Sequence, residues 1–147
     1  MVSIGIICKN SGAVFRRTMA ALKAQAAPWP FEIVVLDRGS REGTDRFAAE
    51  QGARVISFTD KLGWGPLRDM LFEACRGQYI VTISADVTPC TTDWLVKLVG
   101  PLMDGTADAT IGENCPPPGE YVFYWDYHAS WMRSQAVQFD AAYGRIA

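Results

Sequence analysis

Strand-like and helix-like segments alternate along most of this chain, and no other feature constrains its fold as strongly. Each short β-branched or apolar run is followed by a stretch with apolar residues at helical spacing. Continuous apolar runs such as Ile33-Val34-Val35-Leu36 are typical of strands buried on both faces of a parallel sheet. The order βαβαβαβαβ therefore predicts an α/β fold, with a mostly parallel sheet and helices on both of its faces.

The pattern predicts five strands, which cover residues 2–8, 31–36, 53–58, 78–83 and 107–111. The predicted helices cover about 13–26, 44–52, 66–75 and 94–102, with Thr44 capping the second and Thr91 or Thr92 capping the fourth. Ligands of such sheets bind beyond the carboxyl ends of the strands, which places a site near residues 8–10, 37–40 and 84–86.

A stiff Pro116-Pro117-Pro118-Gly119 segment precedes a different C-terminal pattern. We therefore divide the chain into a core, residues 1–118, and a helical tail, residues 119–147. Apolar residues recur along the tail at helical spacing and predict an amphipathic helix: Trp125, Ala129, Met132, Ala136, Phe139 and Tyr143. Either this face packs on the core, or the tail's aromatic surface binds a second copy of the chain, a partner protein or a membrane surface.

The composition excludes several classes of protein. With 14 basic and 16 acidic residues the net charge is −2, and the sequence has no basic stripe typical of a nucleic-acid binder. Hydrophobic residues make up 49% of the chain, which excludes disorder. No apolar run approaches the roughly 20 residues of a membrane span, and the first residues lack the features of a signal peptide. We therefore expect a cytoplasmic protein, at most peripheral to a membrane, whose partner is a small molecule or another protein.

Charged residues follow three of the predicted strands at one edge of the sheet. Lys9 follows the first strand, Asp37 ends the second and Asp86 follows the fourth, while Arg68 lies near the start of the third helix. Asp37 is either a turn former, because Asp side chains bond to nearby backbone amides, or a ligand-binding group. Asp86 offers the hard oxygen ligand that Mg²⁺ or Mn²⁺ prefers. The chain has no P-loop and no complete dinucleotide-binding fingerprint.

Six segments carry a resemblance to a known family when they are taken in order. They cover residues 2–12, 31–40, 52–56, 65–69, 74–80 and 84–89, together with Phe15-Arg16-Arg17-Thr18, Ala24-Gln25, Gly43-Thr44 and Asp93-Trp94-Leu95. With this order and spacing the sequence resembles the family 2 glycosyltransferases over about residues 2–118. The segments at 9–12 and 86–89 resemble a rhamnosyltransferase-like branch of that family in particular.

The resemblance implies a GT-A fold, the fold of nucleotide-diphosphosugar transferases, and transfer of a sugar to an acceptor hydroxyl with inversion at the anomeric carbon. It implies that Asp37 lies at the nucleoside end of the site and that Arg68 lies near the nucleotide. Asp86 matches the last Asp of the family's Asp-x-Asp motif, which reaches an Mg²⁺ or Mn²⁺ ion on the diphosphate of the donor.

Three further residues, Lys9, Asn10 and Ser84, lie in the matching segments and are expected to contact the donor. The chain departs from the family's pattern at Ser84, which stands where the family has the first Asp of its metal motif. Arg38 stands in place of the second acid of the family's Asp-Asp-Gly-Ser turn. About 60 residues follow Asp86, so we expect a shortened acceptor half.

The implied reaction needs a base for the acceptor's proton, and four candidate groups follow the metal segment: Glu113, Glu120, Asp126 and His128. Each of them also fits a solvated or structural position. We choose Asp126, because it opens the tail that would take the place of the family's acceptor region. The alternative is a non-catalytic module of the same fold, which binds a nucleotide sugar or a partner protein.

Overall fold

The computed structural model describes residues 1–59 and 61–112, and in this part of the chain four strands alternate with four helices. The strands are β1 (Val2–Cys8), β2 (Phe31–Asp37), β3 (Arg54–Ser57) and β4 (Tyr79–Ser84). The helices are α1 (Gly12–Lys23), α2 (Thr44–Glu50), α3 (Trp64–Ala74) and α4 (Trp94–Met103). The predicted alternation is confirmed in these residues, with most boundaries shifted by one to three positions.

The four strands form one parallel sheet in the order β3-β2-β1-β4. In its centre, β1 pairs with β2 on one side and with β4 on the other, so that Ile6 lies between Val35 and Ile83. The first three strands extend the sheet in one direction, and the chain then crosses β1 to add β4 on the opposite side. The carboxyl ends of β1 and β4 therefore flank a topological switch point, where open α/β sheets bind their ligands.

Helices cover both faces of this sheet, as predicted. On the first face, α1, α2 and α4 bury a core that includes Ile4, Ile6 and Phe15. On the second face, α3 buries a smaller core of Val34, Leu36, Leu67 and Leu71. The two cores are separate because successive side chains along a strand point to opposite faces of the sheet, as those of Val34 and Val35 do.

The described residues cover the second face of β4 less than the rest of the sheet. Val81 and Ile83 are buried on the first face, whereas Ile80, Thr82 and Ser84 are exposed on the second. Within the described residues, α3 packs mainly on β1 and β2. A groove therefore remains beside α3, above the second face of β4.

Three local predictions are wrong. Residues 107–111 form no strand: Ile111 is 79% exposed and the segment buries no large apolar side chain, so little offsets the entropy cost of ordering it. Thr44 does not cap α2 but is its first residue, because Gly43, at φ +80°, occupies the cap position. The cap residue of α4 is Asp93 and neither of the two threonines before it.

The predicted C-terminal amphipathic helix lies outside the described residues, and with it most of the predicted division into residues 1–118 and 119–147. None of the four described helices has the length and apolar character that crossing a membrane requires.

A hydrogen-bond network stabilises the amino end of the sheet. The Glu32 carboxylate accepts bonds from the Ser3 hydroxyl (2.7 Å) and the Arg76 amide (2.8 Å), and it forms an ion pair with Arg54 (3.4 Å). The Ser3 oxygen also accepts a bond from the Gly77 amide (2.8 Å). Burial alone would raise the pKa of Glu32, but the bonds from Ser3 and Arg76 and the charge of Arg54 outweigh it and hold that pKa below its usual value. The network joins β1, β2 and β3 to the segment that leads into β4.

Gly77 lies against the backbone of β1, and its replacement by alanine is expected to destabilise the fold. A Cβ atom at position 77 would lie 2.5 Å from the Ser3 amide nitrogen and 2.7 Å from the Val2 carbonyl carbon. We expect Gly77→Ala to lower the free energy of unfolding by about 1–3 kcal/mol, the usual cost of overpacking, in chemical denaturation. Gly100→Ala is the control, because apart from its own helix backbone no atom of the described residues lies within 4 Å of a Cβ there, and alanine favours helix α4. Equal stability of the two variants would contradict this packing.

Glu32 also makes the stability of the fold depend on pH. Because its pKa is lower in the folded than in the unfolded state, its stabilisation is present above the unfolded pKa and is lost as the pH falls through the folded pKa. We expect Glu32→Gln to be less stable than the wild type at neutral pH, and the difference to shrink below about pH 4. Urea denaturation at a series of pH values measures both. A difference that stays constant into the acid range would exclude this role for the ionised carboxylate.

Candidate functional site

A cleft of about 590 Å³ opens at the carboxyl ends of β1 and β4, beside α3. Its floor is the second face of these two strands, where Gly5, Ile7 and Thr82 lie. Its walls are α3 and the segments that follow β1, β2 and β4. The cleft therefore coincides with the topological switch point, where the strand order predicts a ligand.

Helix α3 forms one wall of the cleft through residues four and three positions apart. Trp64, Arg68 and Leu71 share one side of the helix at this spacing. Leu71 is buried next to Gly5 of β1, where a Cβ atom would lie only 2.8 Å from Leu71 Cδ2. The missing side chain of Gly5 thus lets α3 lie close to β1, while Trp64 and Arg68 stay exposed along the cleft.

Basic side chains come to the cleft from three directions. Lys9 follows β1, Arg38 follows β2 and Arg68 lies on α3, whereas Asp86 is the one carboxylate among the described lining residues. The guanidinium carbon of Arg38 lies 5.4 Å from the centre of the Trp64 ring, which is the distance of a cation–π contact. The described part of the cleft therefore carries an excess of positive charge, which favours an anionic ligand.

The Asp37 carboxylate holds the turn that follows β2. Asp37 is 2% exposed, and its side chain accepts bonds from the amides of Gly39 (3.1 Å) and Ser40 (2.9 Å), the Ser40 hydroxyl and the Cys8 thiol (3.5 Å). These contacts are those of a turn former, and Asp37 is not among the residues that line the cleft. Its neighbour Arg38 lines the cleft instead, because successive side chains along a strand point to opposite faces of the sheet. A contact of Asp37 with a nucleoside stays a prediction.

The Cys8 thiol stabilises this turn by donating a hydrogen bond to the Asp37 carboxylate. Burial, and then the nearby Asp37 carboxylate, raise the pKa of Cys8, so that its thiol stays protonated at neutral pH. Although Cys8 borders the cleft, the side chain is therefore a structural donor and not a nucleophile.

Asn10 ties the segment after β1 to the segment after β2. Its backbone lies in the left-handed region at φ +50°. Its backbone amide donates a hydrogen bond to the Ser40 hydroxyl oxygen (2.9 Å), and its side-chain oxygen accepts one from the Arg41 backbone amide (3.0 Å). Asn10 is not among the residues that line the cleft, and its expected contact with a donor stays a prediction.

The segment after β4 is anchored on α1, which leaves two polar side chains at the cleft. The Val87 amide donates to the Ser84 carbonyl oxygen (3.1 Å), and the Thr18 hydroxyl of α1 lies 3.2 Å from the Ala85 carbonyl oxygen. The side chains of Ser84 and Asp86 are exposed and line the cleft.

The described cleft offers a divalent cation a single carboxylate, that of Asp86. No group of three or more His, Cys, Asp or Glu side chains within residues 1–59 and 61–112 is arranged to hold a metal. Mg²⁺ is commonly bound by one or two carboxylates together with the oxygens of a bound phosphate. Asp86 therefore fits a cation that shares its coordination with a bound anion, and does not fit a cation held by the protein alone.

The structure brings together four of the predicted site residues along the cleft: Lys9, Arg68, Ser84 and Asp86. Asp37 and Asn10 hold the adjoining turns, and Asp126 lies outside the described residues. Among the lining residues that the sequence does not predict as part of the site, Arg38 and Trp64 offer a charged and an aromatic side chain to a ligand. The alternation of side chains along a strand could have predicted Arg38, because the residue that follows a buried Asp37 points to the opposite face of the sheet.

Asp37 is expected to be essential for the turn after β2. Asp37→Asn replaces one acceptor oxygen by a donor NH₂ group, which cannot accept the bonds from the amides and hydroxyl around it. We expect the free energy of unfolding to fall by about 1.5–3 kcal/mol, the value of hydrogen bonds to a charged group, in chemical denaturation. Asp69→Asn, on the exposed surface of α3, is the control and should keep wild-type stability. A wild-type value for Asp37→Asn would show that the carboxylate charge does not support the turn.

Comparison with protein families and curated proteins finds relatives for much of the chain. The model of the family described as Glycosyl transferase family 2 matches residues 3–144. The undecaprenyl-phosphate 4-deoxy-4-formamido-L-arabinose transferase of Pseudomonas fluorescens is 34% identical over 80 residues, which are 50% of this chain and 23% of that protein. A low-salt glycan biosynthesis hexosyltransferase of Haloferax volcanii is 40% identical over 85 residues, which are 56% of this chain and 19% of that protein. The chain thus spans about a fifth of the length of these relatives.

Solved structures share the fold of the described residues. The S. aureus TarS structure in complex with UDP-GlcNAc matches with a TM-score of 0.64 at 18% identity, over 79% of this chain and 37% of that chain. The mannosyltransferase PcManGT from Pyrobaculum calidifontis, in complex with GDP-Man and Mn²⁺, matches with a TM-score of 0.60 at 18% identity, over 67% of this chain and 31% of that chain. These matches confirm the predicted α/β fold of the GT-A type.

Proposed function

The chain belongs to glycosyl transferase family 2, and we propose that it transfers a sugar from a nucleotide-diphosphosugar donor to an acceptor hydroxyl, with inversion at the anomeric carbon. The observation that carries this proposal is the cleft at the switch point, which Lys9, Arg38 and Arg68 line with positive charge and Asp86 with a carboxylate. A nucleotide sugar presents its negative charge on the diphosphate, and basic side chains bind phosphate oxygens through strong charge-assisted hydrogen bonds.

Two proteins of similar fold support the class of donor. The TarS structure holds UDP-GlcNAc, and the mannosyltransferase structure holds GDP-Man with Mn²⁺. Both ligands are nucleotide-diphosphosugars, and we propose a donor of this class for the present chain. Membership of the rhamnosyltransferase-like branch of the family is the finer hypothesis, and it rests on the segments at residues 9–12 and 86–89.

The reaction requires charge stabilisation on one side of the anomeric carbon and a base on the other. The bond between the anomeric carbon and the diphosphate oxygen breaks, and the leaving diphosphate keeps the electron pair. The acceptor oxygen attacks from the opposite face, which inverts the carbon, and its proton passes to the base. We assign the binding of the diphosphate to Lys9 and Arg68, which stabilise the charge that grows on it. Asp126 is the proposed base.

Mg²⁺ or Mn²⁺ is the proposed cofactor, with Asp86 as its protein ligand. When bound, such an ion neutralises charge on the leaving diphosphate. Because Asp86 is the one carboxylate in the described cleft, the ion would take further ligands from the phosphates of the donor.

The tail, residues 119–147, is the proposed acceptor side of the molecule and the proposed contact with a second copy or a partner protein. In this proposal the aromatic residues of the tail sequence, among them Tyr127 and Trp131, would provide the apolar surface for such a contact.

A non-catalytic nucleotide-sugar-binding module is the second candidate function. Ser84 favours it, because a neutral hydroxyl stands where the family's motif has a carboxylate for the metal. The module would use the same cleft and the same basic side chains without turnover.

Turnover separates the two candidates. The chain is incubated with UDP-, GDP- and dTDP-sugars and Mn²⁺, with water as the default acceptor, and the released nucleoside diphosphate is measured. We expect release from at least one donor, and we expect Asp86→Asn to lower its rate by about 10- to 100-fold through the loss of a charge-assisted contact. Asp108→Asn, at an exposed position outside the cleft, is the matched control and should keep the wild-type rate.

Two other outcomes decide against this expectation. Binding of a nucleoside diphosphate without release from any donor, with or without added hydroxyl acceptors, would favour the module. Failure to bind any nucleoside diphosphate would exclude both candidates.

A further inference from the structure

The basic side chains of the cleft have no acidic partner within the described residues. Lys9, Arg38 and Arg68 form none of the salt bridges found there, which lie elsewhere on the molecule. Lys9 and Arg68 are exposed and keep their hydration, whereas Arg38 is half-buried. The described cleft thus contains positive charge that a bound anion would neutralise.

Arg38 is the basic residue that gains most from an anion. Its Nε atom is buried and has no hydrogen-bond partner among the described residues, and its guanidinium lies over the Trp64 ring. Its amide donates to the Cys8 carbonyl oxygen (2.9 Å), and the Asp37 carboxylate stabilises the turn that follows. A buried N–H donor without a partner raises the free energy of the protein, and here this applies to the Nε–H group alone. The turn therefore holds Arg38 where a bound anion would supply acceptor oxygens for its guanidinium group.

The loops that carry these groups are close enough to act on one ligand. Strands β2, β1 and β4 are neighbours about 4.8 Å apart, so the residues that follow them are spread over about 10 Å of the sheet edge. Lys9 lies between Arg38 and Asp86 in this row, and Arg68 adds a third basic group from α3. The basic end of the row is at β2 and β1, and the carboxylate end is at β4.

We propose that Lys9, Arg38 and Arg68 neutralise the diphosphate of the bound donor, so that a nucleoside diphosphate binds in this cleft without a divalent cation. The inference rests on the proposed function, because it concerns the same ligand. Arg38 distinguishes this chain: it stands where the resemblance implies an acid, and it attracts the phosphates that an acid would repel. Ser84 also supports the inference. Compared with the family's pattern, Ser84 leaves the chain one carboxylate fewer for a metal, and Arg38 gives it one basic group more for phosphate.

Isothermal titration calorimetry of the whole chain with UDP, GDP and dTDP, in EDTA and in Mn²⁺, tests the inference. For the wild type and its tightest nucleotide, we expect binding to persist in EDTA, with a dissociation constant no more than about tenfold above that in Mn²⁺, because the ion adds only the contact through Asp86. Arg38→Gln removes the charge, and we expect binding in EDTA to weaken by about tenfold or more, and to weaken less in Mn²⁺. Arg38→Lys keeps the charge without the two-pronged guanidinium and should recover part of the loss.

Arg17→Gln is the matched control, because it removes an exposed charge of α1 outside the cleft and should bind like the wild type. Thermal unfolding establishes that Arg38→Gln is folded, and the comparison of EDTA with Mn²⁺ in the wild type needs no variant at all. Wild-type binding in Mn²⁺ that disappears in EDTA would overturn the inference and leave the proposed function intact. Equal binding of wild type and folded Arg38→Gln in EDTA would also overturn it. Binding of no nucleoside diphosphate in either condition would instead contradict the proposed function.

Discussion

The pairing of β1 with both β2 and β4 is the constraint on which the rest of the structure depends. Because all three strands run parallel and in register, Cys8, Asp37 and Ser84 end at one edge of the sheet. At the opposite edge, the bond between Ser3 and Glu32 and the close approach of Gly77 hold the same strands together. A slip of one residue in β1 would exchange its two faces, and the cleft would lose its floor.

Adjacent residues after β2 have opposite roles in the site. The buried Asp37 carboxylate bonds to the turn, and the half-buried Arg38 lines the cleft and contacts Trp64. The turn is thus stabilised by a negative charge, that of Asp37, while the side chain presented to a ligand is positive, that of Arg38. Because the Asp37 carboxylate is turned away from the described cleft, it does not neutralise the basic lining, which suits a diphosphate.

The sequence predicted the central strands well and the peripheral segments less well. Strands β1 and β2 are buried on both faces, so their apolar runs are continuous and their bounds agree with the prediction to within one residue. Residues 107–111 have a weaker apolar pattern, and such a segment becomes a strand only where a neighbour buries it. Helix α3 begins at Trp64, two residues before the predicted start at Pro66, because glycines around a tryptophan are typical of a loop and hide the first turn of the helix in the sequence.

The order of the amino acids alone sets which segments become strands and helices, and it predicts that charged residues collect at the carboxyl edge of a parallel sheet. It also suffices for the resemblance to a family, since the motifs are local and keep their spacing. Which charged residues point into the cleft depends on the assembled sheet. Asp37 and Arg38 are neighbours in the chain, yet one is buried by contacts with Cys8 and Ser40 and the other lies against Trp64. The partners of such side chains come from distant parts of the chain, and the fold must bring them together before burial and hydrogen bonding can distinguish a turn former from a ligand-binding group.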